Sequence, residues 1–161
     1  MTVLDRSDWM VDGVLITRKK MPNGETRTRM KLPDGTATIF TEMEEYSWDK
    51  SSLPWQEPHF HKGLTECYLV VKGLVCVIDF FSDNKKPPRC TRYTIGQHFK
   101  MWPGQAHCIL LSPSAILQTT RYGSPIGNPE KEGKDWWPYP ELDSFISRMH
   151  GIRFKNLFRF D

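Results

Sequence analysis

The sequence predicts an all-β domain, a sandwich or barrel of short strands, with N-terminal strand extensions and one C-terminal helix. Three observations carry that expectation. Runs that alternate apolar and polar residues by two recur through the first two thirds of the chain. Turn dipeptides, Asn23-Gly24 and Asp34-Gly35, punctuate them at hairpin spacing. A helical period is read in one stretch, PELDSFISRMHG (140–151).

In chain order, VLITRKK (14–20), TRTRMKL (26–32) and TATIFTEM (36–43) read as strands joined by those turns. They belong to an N-terminal segment, 1–46, expected to pack on a barrel. A loop rich in Ser, Pro and Trp follows (47–58), opening a core segment over 47–123. That core holds HFH, ECYLVVKG and LVCVIDFF, then a polar loop (82–89), then RYTIGQHFKMWPG, HCILLSP and AILQTTRYG. Short strands at near-regular spacing fit a closed all-β architecture rather than βαβ units. The last segment, 124–161, is a Pro- and Trp-rich connection and the helix, and the whole is one structural domain. Pro140 suits a first helical turn, and Glu141 and Asp143 complement the positive end of the dipole. Leu142, Phe145, Ile146 and Met149 share one face, with Gly151 as the stop and His150 beside it.

With 161 residues, 39% of them apolar and 25% charged, the chain can bury a real core without staples. A net charge of +3 from scattered basic residues argues against a nucleic-acid partner. Without a membrane-length apolar run or an export signal, the expectation is a cytoplasmic protein with no membrane partner. Cys67, Cys76, Cys90 and Cys108 form no CxxC pair and read as free thiols.

The chemistry concentrates in EPHFHKGLTECYLVVKG (57–73). On a strand, His59 and His61 point the same way, about 7 Å apart, with Phe60 opposed. Two such imidazoles can chelate one ion. Glu66, after a turn at Gly63, can return a carboxylate to it. A second stretch, GQHFKMWPGQAH (96–107), runs through a Pro103-Gly104 turn to His107, a fourth possible ligand.

These two stretches resemble the paired motifs of the cupins. The first motif, HxHx(3–4)Ex(6)G, is met by His59, His61, Glu66 and Gly73. The second, Gx(5)PxGxxHx(3)N, is met by Gly96, Gly104 and His107. Leu53 stands where a glycine often precedes the first motif, and Trp102 and Leu111 stand at the proline and asparagine positions of the second; none of these is a ligand position. The resemblance implies a double-stranded β-helix, the jelly-roll barrel, holding one divalent transition metal (Fe, Mn, Ni, Zn or Cu) through three His and one Glu. It also implies a small polar substrate or ligand and a homodimer.

Beyond the ligand set, Tyr68 and His98 are the candidates for catalytic roles, since Tyr68 shares facing with Glu66 and His98 precedes the turn. Trp55 and Trp102 are candidates for the pocket wall, Trp136 and Trp137 for a cover, and Arg92 and Lys100 for pairing with an anion. For each of these the plainer alternative is packing or a solvated strand face. The functional expectation is a metal-dependent dioxygenase, decarboxylase or isomerase. The alternatives are a small-ligand sensor without catalysis and a metal-free sugar-nucleotide epimerase or isomerase of the related jelly-roll type.

Overall fold

The structure, a computed structural model, describes residues 3–47, 52–81 and 86–149. Among these described residues, twelve strands form two antiparallel sheets. The larger sheet contains β1 (Asp5–Val11), β2 (Val14–Lys20), β3 (Glu25–Lys31), β4 (Ala37–Met43), β6 (Leu64–Lys72), β9 (His98–Met101) and β11 (Ile116–Gly123). Its order is β1-β2-β3-β4-β11-β6-β9. The smaller sheet contains β5 (His59–Phe60), β7 (Leu74–Phe81), β8 (Arg89–Thr94), β10 (Gln105–Leu111) and β12 (Trp137–Pro138), in the order β12-β5-β10-β7-β8. Chain neighbours such as β4 and β5 lie in different sheets, and together the sheets make the jelly-roll barrel.

Alternation decides what lies between the sheets. On β6, Glu66, Tyr68 and Val70 point inward, while Leu69 and Val71 face solvent. Val75 and Val77 of β7, Ile109 and Leu111 of β10, Leu117 of β11 and Met101 of β9 complete the inner core. Strand β10 is buried along its whole length, because its other face is covered too. There Ala106, Cys108 and Leu110 meet Cys76, Ile78, Leu53 and Trp55, and helix α1 (Glu141–Met149) lays Leu142 and Ile146 over them. Trp55 is therefore core under the helix.

Two strands go beyond the sequence expectation. Strand β1 pairs with β2 through Asp12-Gly13, both at positive φ, the two-residue hairpin turn that matches strand twist. Its composition is polar and its residues are exposed, so no buried alternation marked it. Strand β12 lies in the Pro/Trp-rich connection. Gly73 joins β6 to β7 at φ 76°, and a Cβ there would meet Ser112 Oγ at 2.8 Å and Ala115 Cβ at 2.9 Å. The motif glycine thus has both a conformational and a steric reason. The expected helical stop at Gly151 and His150 lies outside the described residues. No helix among the described residues is long and apolar enough to cross a membrane.

Leu142 is almost wholly buried. Leu142→Ala should cost about 2–5 kcal/mol, read as a lowered urea midpoint.

Candidate metal centre

The four motif residues arrive from three strands and one turn. His59 is on β5 and its backbone partner across the ladder is His107 of β10. His61 follows β5 directly. Glu66 is on β6, in the opposite sheet. All four are buried, and each offers a ligand atom within 4.8 Å of the others. The His59 ring lies 5.1 Å from His61 and 4.5 Å from His107, centroid to centroid.

Each imidazole is oriented by a backbone carbonyl. His59 Nδ1 donates to the Glu57 carbonyl at 2.7 Å, and His107 Nδ1 to that of Gln105 at 2.9 Å. His61 Nδ1 donates to the Asp135 carbonyl. A carbonyl only accepts, so each histidine carries a proton on Nδ1, and Nε2 is the nitrogen left to face the site. His61 Nε2 stands 2.9 Å from Glu66 Oε1 and has no hydrogen bond. His107 Nε2 is 3.3 Å from the same oxygen. Two ring nitrogens and a carboxylate oxygen thus converge at close range, an arrangement suited to a shared cation. Burial, then the neighbouring His107 and His61 rings, hold the His59 pKa well below its ordinary value, keeping that ring neutral.

Glu66 has two differently used oxygens. Arg121 on β11, its direct cross-strand neighbour, donates to Oε2 from Nε at 3.2 Å and from a terminal nitrogen at 2.9 Å. Burial, the largest single influence, would raise the Glu66 pKa, but the Arg121 guanidinium together with the His61 and His107 rings outweighs it and holds the carboxyl well below the usual range. That leaves Oε1 for the site, where the Tyr68 hydroxyl donates to it at 2.7 Å. Tyr68 Oη is also 3.5 Å from His107 Nε2. Burial, then the Glu66 charge, push the Tyr68 pKa well up, so the phenol keeps its proton.

The connection after β11 completes the site. The Asp135 carboxylate accepts the backbone N–H groups of Lys62, Gly63 and Leu64 at 2.8, 2.8 and 3.1 Å. The tight turn after His61 is thereby held by the residue whose carbonyl orients His61. Trp136 stacks on His59 at 5.3 Å, and Trp137 Nε1 donates to Asp135 Oδ1 at 3.1 Å. Gly63 packs so closely on the Ser124 carbonyl that a Cβ there would overlap it.

The structure therefore brings together His59, His61, Glu66, His107 and Tyr68. It sets His98 apart, exposed on the outer face of the larger sheet beside Leu69. Trp102 is 54% exposed and covered by Lys100, whose nitrogen is 4.5 Å from the ring centre. Trp55 lies in the core under α1, away from the ligands. Sequence reasoning missed Arg121 and Asp135. Arg121 had a faint signal, as the one inward-facing charge in ILQTTRYG; Asp135 had none.

No family model and no curated protein matches the sequence. Solved structures do. The CENP-C cupin domain of Drosophila melanogaster aligns with 73% of this chain and 71% of its own, at 12% identity and TM-score 0.51. Oxalate decarboxylase from Bacillus subtilis aligns with 86% of this chain at 12% identity and TM-score 0.54. The chain spans 36% of that enzyme's length. KdgF from Halomonas sp. aligns with 66% of this chain and 86% of its own, at 16% identity and TM-score 0.50. These are likenesses of fold.

Asp135→Ala removes the shared acceptor of three N–H groups. It should cost about 2–4 kcal/mol by urea denaturation, given roughly 1–3 kcal/mol per stranded buried donor and partial rescue by water.

Proposed function

We propose that this chain, which has the cupin fold, is a mononuclear-metal enzyme acting on a small polar molecule. One observation carries the reading: three buried imidazoles, each with its Nδ1 proton committed to a carbonyl, and one carboxylate bring a ligand atom apiece within 4.8 Å of one another. His59, His61, Glu66 and His107 would hold the ion. Imidazole and carboxylate donors suit Fe, Mn, Ni, Zn or Cu. When bound, the ion supplies Lewis acidity toward a carboxylate, enolate or carbonyl oxygen, with ligand positions open beyond these four.

The chain's own residues do the rest. Arg121 fixes the Glu66 carboxylate by its outer oxygen and so keeps Oε1 turned inward. Tyr68 holds a proton at its hydroxyl beside Oε1 and is the candidate proton donor or substrate anchor. Trp136 covers His59 and narrows the access of water to it. Decarboxylation, dioxygenation and isomerisation are the reaction types consistent with this set.

A second reading also has an observation behind it. Tyr68 Oη beside His107 Nε2 is the acid–base pair that a metal-free isomerase of related jelly-roll type would use. We further place the protein as a cytoplasmic homodimer. The outer face of the larger sheet supports this with exposed Phe40, Leu69 and Val71.

Protein purified without added metal should carry about one transition-metal ion per chain by elemental analysis. His59→Ala and His107→Ala should lose it. Unchanged metal content in both removes the ligand assignment. Turnover of small carboxylates, followed by oxygen uptake and product release, should stop on chelation; turnover surviving full chelation supports the His107–Tyr68 reading. Tyr68→Phe should keep the ion and lower kcat about 100-fold, the scale of one general acid. Light scattering should give twice the chain mass, and a monomeric mass removes the dimer.

A further inference from the structure

The inner face of the larger sheet continues past the barrel onto β1, β2 and β3, and there it turns basic. Directly paired residues share a face. The register aligns Arg6 with Lys19 and Lys19 with Arg27, and sets Arg29 between Thr17 and Ile39. The Arg29 row runs on through Thr119 to Tyr68, and the neighbouring row, Lys31–Ala37, runs on to Arg121. From the connection, Lys134 adds its charge to the neighbourhood of Lys19.

Most of these cations are matched. Arg6 pairs with Asp8, Arg27 with Glu25, Arg121 with Glu66 and Lys134 with Glu132. Arg29 and Lys19 are in no ion pair among the described residues; Asp8, whose carboxylate feels the Lys19 charge, is already held by Arg6. Arg29 Nε is buried and makes no hydrogen bond. Lys31, on the same face, is exposed to solvent. Burial, then the charges of Arg121 and Arg6, push the Arg29 pKa down. Burial, then Lys134, push that of Lys19 down. Like charges crowded away from water are costly in the free protein, and an anion between them reverses the sign of the interaction.

Distance links this cluster to the metal centre. Arg29 stands in the row Tyr68–Thr119–Ile39–Arg29, three strand spacings or about 14 Å from Tyr68, backbone to backbone. Arg29 is also near enough to Arg121, the partner of Glu66, for the two charges to repel. Resting on the metal-enzyme reading above, we propose that Arg29 and Lys19 form an anion subsite of the same active site. It takes a carboxylate or phosphate borne by the substrate several bonds from its metal-bound end. Arg29 receives two oxygens in its fork, and Lys19 adds a point charge.

The test titrates inorganic phosphate and malonate into metal-loaded wild type, Arg29→Met, Lys19→Met and His59→Ala by calorimetry. Metal per chain and the thermal midpoint are measured for each. The dissociation constant of both anions should rise at least about tenfold in Arg29→Met, the scale of one charge-assisted contact. The ion should stay, and the thermal midpoint should hold or rise as the crowding is relieved. Unchanged affinity in both basic-site variants overturns the proposal. Affinity lost in His59→Ala but kept in Arg29→Met also overturns it, because the anion then sits on the ion. A lowered midpoint in Arg29→Met with affinity kept makes Arg29 structural and overturns it as well. Anion binding that depends on Arg29 in a protein that takes up no metal supports the subsite and sinks the metal reading, so the two fail separately.

Discussion

The rest of the molecule is arranged around one electrostatic constraint. Three imidazoles and a carboxylate are withdrawn from water and brought together at close range. Such a group persists only where the surrounding chain over-determines it. Three carbonyls fix the rings, a guanidinium fixes the carboxylate, and the rings come from one sheet while the carboxylate comes from the other. Sheet packing is therefore also site assembly. The core residues Val70, Ile109 and Leu111 set the spacing at which Glu66 meets the histidines.

Strand alternation gives each residue near the centre its role. On β6 the same period that turns Glu66 and Tyr68 inward turns Leu69 outward. On β10 it turns His107 and Ile109 toward the site, and Cys108 and Leu110 toward α1. The helix is thus coupled to the metal centre through the thickness of one strand. Tyr68 is held from its far side by stacking on Phe99, which in turn stacks on Tyr93. This aromatic column limits the positions open to the phenol.

The ligands were legible because their spacing is local: His59, His61 and Glu66 fall within eight residues, and His107 follows a turn glycine in a recognisable run. The hairpins of the N-terminal segment were legible from Asn-Gly and Asp-Gly. Arg121 and Asp135 were not, because they act over sequence separations of 55 and about 70 residues that only the topology closes. Strand β1 escaped because an exposed strand has no buried face to write a pattern. His98 and Trp102 stand near the second motif in sequence, yet strand facing and a turn put them at the surface. Proximity along the chain says little about which side of a sheet a residue takes.

Asp135 has a consequence for how this protein can change over evolutionary time. One residue holds the turn after His61 through its carboxylate and His61 itself through its carbonyl. Just upstream, Asn128 pairs with Lys134 and closes the intervening turn on itself. The tip between them is the place where a change of length would disturb Asp135 least, though its Lys131 reaches back over the Trp136 ring. The few residues from Lys134 to Trp137 cannot lengthen or shorten, since each serves the centre or its cover. The lineage is free to diversify the rim by insertion at that tip while inheriting the ion cradle unchanged.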